Sequence, residues 1–333
     1  MCSMTERIRR LLLNLARLGL GLSLLAYIVA RNNPRQAVAQ FLAASWPQLA
    51  GALGLYLAAT MLIAFRWHLV LRARAVHVGL VPLTRFYLIG FFFNNFLPSS
   101  VGGDVMRIWN LAACGCPASL SLSSVFVERL MGFLAMAMLA LLSMVYMACK
   151  PSPFRGDPLL VLTTAGLTIA FLGVLLVSFN RRAAAVLSVV FARFHWRSLG
   201  AKFQRVYDAI HEFRDYPGML AAVFAVSLVY QMVMGFFTWW VMSATGLHTK
   251  FTSVFALTQI SCMVGVLPVT FDGLGLREWI FVHALGAAGH APAAVSPAII
   301  MARLVSLVGS LVGGLLFVRG EHRPAPLPAE ARI

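Results

Sequence analysis

The sequence predicts an all-α polytopic membrane protein with about six full transmembrane helices and two broken, re-entrant elements that form an inverted repeat. Sixty per cent of the 333 residues are hydrophobic and only 11% are charged, whereas about a quarter of the residues in a soluble domain are charged. The basic residues cluster at the ends of apolar segments, as the positive-inside rule describes. Two apolar segments are interrupted by the same order of proline, glycine and arginine, a pattern typical of transporters built from repeats.

The first two predicted spans are residues 11–30 and 46–70. The first is long enough to cross a hydrocarbon core of about 30 Å, and the basic residues before it predict a cytoplasmic N-terminus. The second span returns to the cytoplasm and ends in a further group of arginines. These two basic groups contain Arg7, Arg9 and Arg10, and Arg66, Arg72, Arg74 and Arg85.

The first broken element is FFFNNFLPSSVGGDVMRIW, residues 91–109. The chain is apolar for only about a dozen residues before Pro98, too few to cross about 30 Å at roughly 1.5 Å per residue. We therefore expect a re-entrant helix that enters from the cytoplasmic side, turns after Pro98 and continues as a second helix from near Gly103. Ser99 and Asp104 suit the start of that helix, because their oxygens accept hydrogen bonds from its free N–H groups.

The next predicted spans are residues 125–148, 159–179 and 219–244. Glu128 and Arg129 are expected in the first turns of the 125–148 span. The 159–179 span is uninterrupted, and we expect it to face lipid. Residues 194–216 carry apolar and charged positions at helical spacing. This predicts an amphipathic helix that lies in the inner headgroup plane or packs across the cytoplasmic ends of the bundle.

The second broken element is GVLPVTFDGLGLREWIFV, residues 265–282. In both elements the Leu-Pro pair is followed five residues after the proline by glycine, Gly103 or Gly273. It is followed nine residues after the proline by arginine, Arg107 or Arg277. Counting the spans places the two elements on opposite faces of the membrane, which predicts inverted-repeat topology.

The chain is predicted to form one integral membrane domain over residues 1–320. Its repeat halves are expected at about 46–149 and 219–318, and its last span at residues 298–318. The tail, residues 321–333, is rich in proline and polar residues and is predicted to be disordered.

Eight ionisable residues lie within or beside apolar segments. At about 2.5 to 3.5 kcal/mol each at the bilayer centre they would together cost about 20 kcal/mol, which exceeds the stability of a typical fold. We therefore expect these groups to pair with one another or to face a cavity. They are Asp104, Arg107, Glu128, Arg129, Asp272, Arg277, Glu278 and Arg303.

Helical spacing limits how these charges can pair. Asp104 and Arg107 are three residues apart and can meet on one helix face. Adjacent Glu128 and Arg129 point about 100° apart, so each needs a partner from another helix. We expect Glu128 to pair with Arg107, Arg129 with Asp104, and Arg303 with Asp272 or Glu278. In one interpretation these pairs only hold the broken helices in place.

The functional interpretation starts from two helices that begin inside the membrane, near Gly103 and Gly273. Helix N-termini and arginines together attract an oxyanion such as a lipid phosphate. The sequence therefore predicts a headgroup-binding cavity with no catalytic, metal or cofactor residues. Its candidate residues are Asn94, Asn95, Ser99, Gly103, Asp104, Arg107, Glu128, Arg129, Asp272, Gly273, Arg277, Glu278 and Arg303.

Three motifs carry a family resemblance: FFNNFLPSSVGGDVMRIW (residues 92–109), VERLMG (127–132) and LPVTFDGLGLREWIF (267–281). The chain resembles the flippase-like membrane domain family, also called the lysylphosphatidylglycerol synthase transmembrane region family. The resemblance implies a multi-pass protein of the bacterial inner membrane, with both termini cytoplasmic, whose relatives move lipids or help to move them. The bifunctional synthases of that family carry a soluble aminoacyl-transferase domain after the membrane region. The sequence shows no such domain, so we do not expect aminoacylation.

We therefore expect a lipid flippase-like transporter, not an enzyme, for a phospholipid, a lipid-linked sugar or a hopanoid-type lipid. The alternative is an integral-membrane transferase or an accessory subunit in glycolipid, hopanoid or aminoacyl-lipid biosynthesis. The sequence has no P-loop for ATP, and its histidines lack metal-ligand spacing.

The expected partners are membrane lipids with anionic or phosphate headgroups, and enzymes of lipid biosynthesis. The net charge of +16 raises the question of nucleic acid, but no compact basic module is present to bind it. Cys114-Gly-Cys116 resembles a redox pair, yet free cysteines in apolar segments usually pack as small apolar residues. We expect that packing role here.

Overall fold

The computed structural model describes residues 34–96, 102–149, 158–179, 211–266 and 273–320, together with Gly19, Ser23 and Tyr27. In these residues all regular secondary structure is helical, so the predicted all-α class is confirmed. The predicted span at residues 11–30 lies outside the described residues except at those three positions, and so do residues 194–210 and the tail, 321–333.

The first half of the described chain contains a short helix and four longer ones. We number them α1 (Pro34–Leu42), α2 (Trp46–Arg72), α3 (Leu80–Phe96), α4 (Gly102–Ala113) and α5 (Ala118–Cys149).

Two elements connect the halves, α6 (Pro158–Phe179) and a short 3₁₀ helix (Glu212–Asp215). The second half then contains α7 (Pro217–Ala244), α8 (Phe251–Gly265), α9 (Leu276–Ala287) and α10 (Pro292–Val318).

Among the described residues, four helices are long and apolar enough to cross a membrane: α2, α5, α7 and α10. They correspond to four of the six predicted spans, and α6 coincides with a fifth, residues 159–179. We expected α6 to face lipid, but one of its faces is buried. Thr164 and Thr168 are buried, and Phe171 stacks on Phe133 of α5 with 5.0 Å between ring centroids. With its four long apolar helices the protein is a multi-pass membrane protein.

The start of α5 differs from the prediction. The helix begins at Ala118, seven residues before the predicted start, so Glu128 and Arg129 lie about three turns from its start and not in its first turns. The serine-rich segment before the predicted start is helical, and its hydroxyls bond backward within the helix. Ser121 donates to the Pro117 carbonyl oxygen at 3.1 Å and Ser124 to that of Ser121 at 2.9 Å. Serine hydroxyls can satisfy themselves in this way inside a helix.

Helices α2 and α7 run antiparallel. The amide of Ser45, just before α2, donates to the carbonyl oxygen of Ala244 at the end of α7 (2.9 Å). Toward the other end, Arg66 Nη1 donates to Ser227 Oγ (3.0 Å). Because each helix is the first long helix of its half, the two halves are inverted relative to each other. Their broken elements therefore enter the bundle from opposite ends, as predicted.

Each broken element is a pair of packed short helices. We call α3 with α4 the first hairpin and α8 with α9 the second hairpin. In the first pair, the Gly103 amide donates to Asn94 Oδ1 at 2.7 Å and holds the start of α4 against the end of α3. The turns themselves, residues 97–101 and 267–272, lie outside the described residues, and with them Pro98 and Pro268.

The two halves are packed into one another. Helix α5 packs on α7 and α8, and in the equivalent manner α10 packs on α2 and α3. Gly309 and Gly313 of α10 permit this approach, because a Cβ on Gly313 would overlap the main chain of Leu88. Small residues spaced by four commonly bring membrane helices into close contact. The centre of the bundle is thus built from both halves.

We expect Gly103→Ala to destabilise the first hairpin by about 1–3 kcal/mol. A Cβ at this position would lie 2.7 Å from Asn94 Oδ1 and closer still to the carbonyl oxygen of Gly90. The control is Gly54→Ala in α2, where the new methyl group meets no atom within 4 Å and removal of glycine favours the helix. Thermal unfolding of the detergent-solubilised protein measures both. An unchanged Tm for Gly103→Ala would show that the hairpin is looser than the structure indicates.

Candidate functional site

A cavity of about 320 Å³ lies where the two helical hairpins meet. The first hairpin contributes Asn94, Asn95 and Gly103 to its wall, and the second contributes Gly265 and Arg277. The long helices α2, α5, α7 and α10 complete the wall. Their lining residues include Tyr56, Arg66, Glu128, Arg129, Gly132, Phe133, Met136, Tyr230, Gln231, Met234 and Ser306.

Glu128 is the centre of the charge network and is completely buried. Arg66 donates from Nε to its Oε1 at 2.6 Å, and Arg66 Nη2 bonds the same oxygen. Arg107 Nη2 donates to the other oxygen, Oε2, at 2.9 Å. The predicted pairing of Glu128 with Arg107 is confirmed. One carboxylate thus binds two guanidinium groups, from α2 and from α4.

Arg66 is the charged residue whose position was predicted wrongly. We expected it among the arginines at the cytoplasmic end of its span, but only 4% of the residue is exposed and its side chain reaches the cavity. Gly132 of α5 makes room for it, since a Cβ there would lie 2.7 Å from Arg66 Nη1. Arg66 is separated from Arg72, at the end of α2, by more than one helical turn, and that separation was the available signal.

Arg107 is enclosed by aromatic and acidic side chains. Its guanidinium lies 3.7 Å from the centre of the Tyr87 ring and 4.3 Å from that of Trp67. Asp104 Oδ1 lies 3.4 Å from Nη1, which confirms the predicted pair within one helix. Arginine over an aromatic face gains cation–π energy, more so when water is excluded. Only 3% of Arg107 is exposed, so it forms part of the wall.

Arg129 is more open to the cavity. Its Nε lies 2.6 Å from Asp104 Oδ2, as predicted, and 33% of its side chain is exposed. Asp104 therefore lies between two arginines, Arg107 on its own helix and Arg129 on the next, just as Glu128 lies between Arg66 and Arg107. The network connects α2, α4 and α5, and the Arg129 guanidinium lies at its edge.

The second half repeats one of these ties. Arg303 Nη1 of α10 donates to Glu278 Oε1 of α9 at 3.0 Å, which confirms the second of the two partners predicted for Arg303. This pair does not line the cavity. Arg277 does line it, and its guanidinium lies against Gly265 and Gly273, where a Cβ on Gly273 would be 2.8 Å from Arg277 Nε. The segment Glu128-Arg129-Leu130 of α5 corresponds to Ala302-Arg303-Leu304 of α10, so Ala302 stands where the first half has Glu128.

The structure brings most of the predicted site residues together. The residues that line the cavity are Asn94, Asn95, Gly103, Asp104, Arg107, Glu128, Arg129 and Arg277. Gly273, Glu278 and Arg303 do not line it. Ser99 and Asp272 lie outside the described residues.

Several lining residues were not predicted, chiefly aromatic and amide side chains inside apolar helices. These are Tyr56, Tyr87, Gln231, Tyr230 and Cys262, besides Arg66. Only the polar atoms of the glutamine and the tyrosines could have marked them, because their spacing along each helix matches that of ordinary packing residues.

Cys114 and Cys116 lie between α4 and α5, and both are buried. Burial raises the pKa of the Cys114 thiol to about 11 and also raises that of Cys116. A thiol with a raised pKa stays protonated at neutral pH and is a poor nucleophile or metal ligand. Within the part of the chain that the structure describes, no group of three His, Cys, Asp or Glu side chains is arranged to hold a metal ion.

Comparison with known proteins gives a match over nearly the whole chain. The model of the lysylphosphatidylglycerol synthase TM region matches residues 14–314. Two curated relatives, each named UPF0104 membrane protein, come from Methanothermobacter thermautotrophicus. One is 25% identical over 261 residues, covering 74% of this chain and 77% of the relative. The other is 26% identical over 294 residues, covering 80% of this chain and 81% of the relative.

We expect Glu128→Gln to destabilise the protein by about 3–5 kcal/mol, because two buried guanidinium groups would lose their shared counter-charge. The control is Glu212→Gln, whose carboxylate pairs with Arg74 but is 55% exposed, so the loss should stay below about 1 kcal/mol. Both are measured as thermal unfolding in detergent. Equal Tm values for the two variants would contradict the network.

The thiols offer a second check. We expect N-ethylmaleimide at about pH 7.5 to modify exposed Cys149 and to leave Cys114 and Cys116 unmodified, because burial both shields these thiols and keeps them protonated. Peptide mapping by mass spectrometry of the folded protein, with a urea-unfolded sample as control, measures this. Rapid labelling of Cys114 in the folded protein would contradict the packing role.

Proposed function

The chain belongs to the lysylphosphatidylglycerol synthase transmembrane region family, and from this premise we propose that it is a flippase-like lipid transporter. It moves a lipid with a polar or anionic headgroup across the membrane through the cavity between its two hairpins. The substrate is a phospholipid, a lipid-linked sugar or a hopanoid-type lipid.

The observation that carries the proposal is a cavity lined by four arginines at the meeting point of hairpins from opposite ends of the bundle. A headgroup crosses hydrocarbon slowly because its charges lose their hydration there. Fixed guanidinium groups replace part of that hydration for an anion. The apolar tails can stay in lipid while the headgroup passes.

The inverted halves support a transport cycle. In transporters of this architecture the site lies near the bilayer midplane, between repeats that exchange conformations. Here α5 packs on the second half and α10 packs on the first in an equivalent manner. Exchange of the two arrangements would open the cavity first to one face and then to the other. No ATP site is required for downhill or gradient-driven movement.

We place the protein in the bacterial inner membrane with both termini in the cytoplasm. The support is the positive-inside rule applied to the N-terminal arginines and to the basic residues that follow α2. Arg74 in that connection pairs with Glu212, just before α7, so the end of α2 and the start of α7 lie on the same side.

The runner-up is an integral-membrane transferase, or an accessory subunit bound to a lipid-biosynthesis enzyme. Its candidate general bases are Asp104 and Glu128, the two carboxylates among the described lining residues. Both carboxylates are ion-paired with arginines, so a substrate proton would have to compete with those contacts for either carboxylate. Transport therefore agrees better with the geometry.

The test is reconstitution in liposomes with fluorescent lipids of several headgroups, followed by dithionite quenching of the outer leaflet. We expect wild type to exchange at least one lipid faster than empty vesicles. We expect Arg277→Gln and Arg129→Gln to reduce that rate about tenfold or more, since each removes one charge from the headgroup path.

The matched control is Arg74→Gln, an arginine with a carboxylate partner outside the cavity, which should exchange lipid at the wild-type rate. Wild-type exchange no faster than that of empty vesicles for every headgroup would refute transport. The appearance of a chemically modified headgroup in the same vesicles would favour the transferase.

A further inference from the structure

Helix α7 places neutral polar side chains on the cavity. Tyr230, Gln231 and Met234 line it, and they share one face of α7, because residues three and four apart on a helix are neighbours. In the sequence of α7, PGMLAAVFAVSLVYQMVMGFFTWWVMSA, Gln231 is the one side-chain amide and no residue is charged. An amide in a membrane-spanning helix is costly unless it finds a hydrogen-bond partner.

The side-chain amide of Gln231 has no hydrogen-bond partner among the residues that the structure describes. Gln231 is 8% exposed, and its main-chain carbonyl oxygen accepts a bond from Gln259 Nε2 of α8 (3.4 Å), but its side chain takes part in none. By contrast, the hydroxyls of Ser227 and Thr238 donate to carbonyl oxygens one turn earlier in the same helix. Gln231 therefore presents an unused donor and an unused acceptor to the cavity.

The neighbouring Tyr230 adds a hydroxyl and a ring face. Its ring lies 5.9 Å from the guanidinium of Arg66, and its hydroxyl has no hydrogen-bond partner within the described part of the chain. A tyrosine hydroxyl both donates and accepts, and its ring supplies apolar surface. Phe133 and Met136 of α5 extend that surface along the wall. The α7 side of the cavity thus combines neutral donors and acceptors with apolar contacts.

This combination selects the chemistry of a ligand. An ionised phosphate group only accepts hydrogen bonds, so it would leave the carbonyl oxygen of the Gln231 amide unpaired. An ammonium group only donates, and the two carboxylates among the described lining residues, Asp104 and Glu128, are already paired with arginines. A hydroxyl group does both. Neighbouring hydroxyls of one ligand can accept from the amide nitrogen and donate to the amide oxygen.

We propose that Gln231 and Tyr230 recognise hydroxyl groups of the headgroup, so that the cavity prefers a polyol headgroup such as glycerol or a sugar. The cavity volume of about 320 Å³ admits such a headgroup but not a whole lipid. The inference rests on the lipid transport proposed above and names the class of headgroup. A soluble polyol phosphate carries the same chemistry without the lipid chains, and the experiment distinguishes the two sources.

The experiment compares two lipids of equal charge that differ in their hydroxyls. Dioctanoyl phosphatidylglycerol and dioctanoyl phosphatidylpropanol are both phosphodiesters, and only the first carries headgroup hydroxyls. Equimolar amounts are added to the purified full-length chain in lauryldimethylamine oxide, a detergent without competing hydroxyls, and native mass spectrometry resolves each bound lipid. We expect wild type to bind phosphatidylglycerol about tenfold more tightly, because the propanol headgroup leaves the amide unpaired.

Two variants and one control assign the preference to these side chains. Gln231→Met keeps the side-chain length without the amide, and the preference should fall to about twofold or less. Tyr230→Phe removes one hydroxyl and keeps the ring, so the preference should fall about threefold. It also carries the test if Gln231→Met does not fold. The control is Gln48→Met at the start of α2, an exposed glutamine outside the cavity, which should keep the wild-type preference.

Three results would overturn the proposal. The first is equal binding of the two lipids by wild type. The second is a preference that persists unchanged in both Gln231→Met and Tyr230→Phe. The third is a preference that is lost in Gln48→Met as well, because the loss would then not depend on the cavity.

The remaining outcomes separate this proposal from the transport function. Glycerol 1-phosphate that displaces phosphatidylglycerol at similar concentrations would support the polyol site and assign it to a soluble ligand. Preference for phosphatidylglycerol in binding, without faster exchange of either lipid in liposomes, would support the site and refute transport. Equally fast exchange of both lipids with no preference in binding would refute the site and leave transport standing.

Discussion

The shared carboxylate of Glu128 is the interaction on which the centre of this protein depends. A buried charge is tolerated only when it is paired and hydrogen-bonded, and here one carboxylate compensates Arg66 of α2 and Arg107 of α4 at once. Through Arg66 the network also reaches Ser227 of α7. One buried anion therefore connects a long helix and a broken helix of the first half with the first long helix of the second. These contacts fix the helices against one another at the wall of the cavity.

The arginines at the cavity wall fit because glycines lie next to them. Gly132 lies beneath Arg66, and Gly265 and Gly273 lie beneath Arg277, at distances that no Cβ could share. These glycines leave room for the two guanidinium groups at the wall of the cavity. The same absence of side chains in α10 allows that helix to pack closely on α3. Charge burial and close helix packing both follow from where the glycines stand.

The two halves share an architecture but not a charge pattern. Both tie the second helix of a hairpin to the following long helix by an ion pair, Asp104 with Arg129 and Glu278 with Arg303. Only the first half carries Glu128, since Ala302 stands at the matching position. One half thus holds a dense, enclosed network, and the other presents Arg277 to the cavity. The cavity is therefore asymmetric although the scaffold around it is an inverted repeat.

The sequence alone determined the helical class and the positions of the two breaks. Two of the ion pairs expected between helices were confirmed as named, and a third was confirmed with one of the two partners left open for Arg303. Helical periodicity, hydrocarbon thickness and the cost of unpaired charge act locally enough to be read from spacing. Only the tertiary structure decided that Arg66 leaves the cationic end of its helix for the core, and that Tyr87 and Trp67 enclose Arg107. It also decided which arginines stay open to the cavity. Those choices depend on helices distant in the chain, whose relative rotation sets each partner, and no local pattern records that rotation.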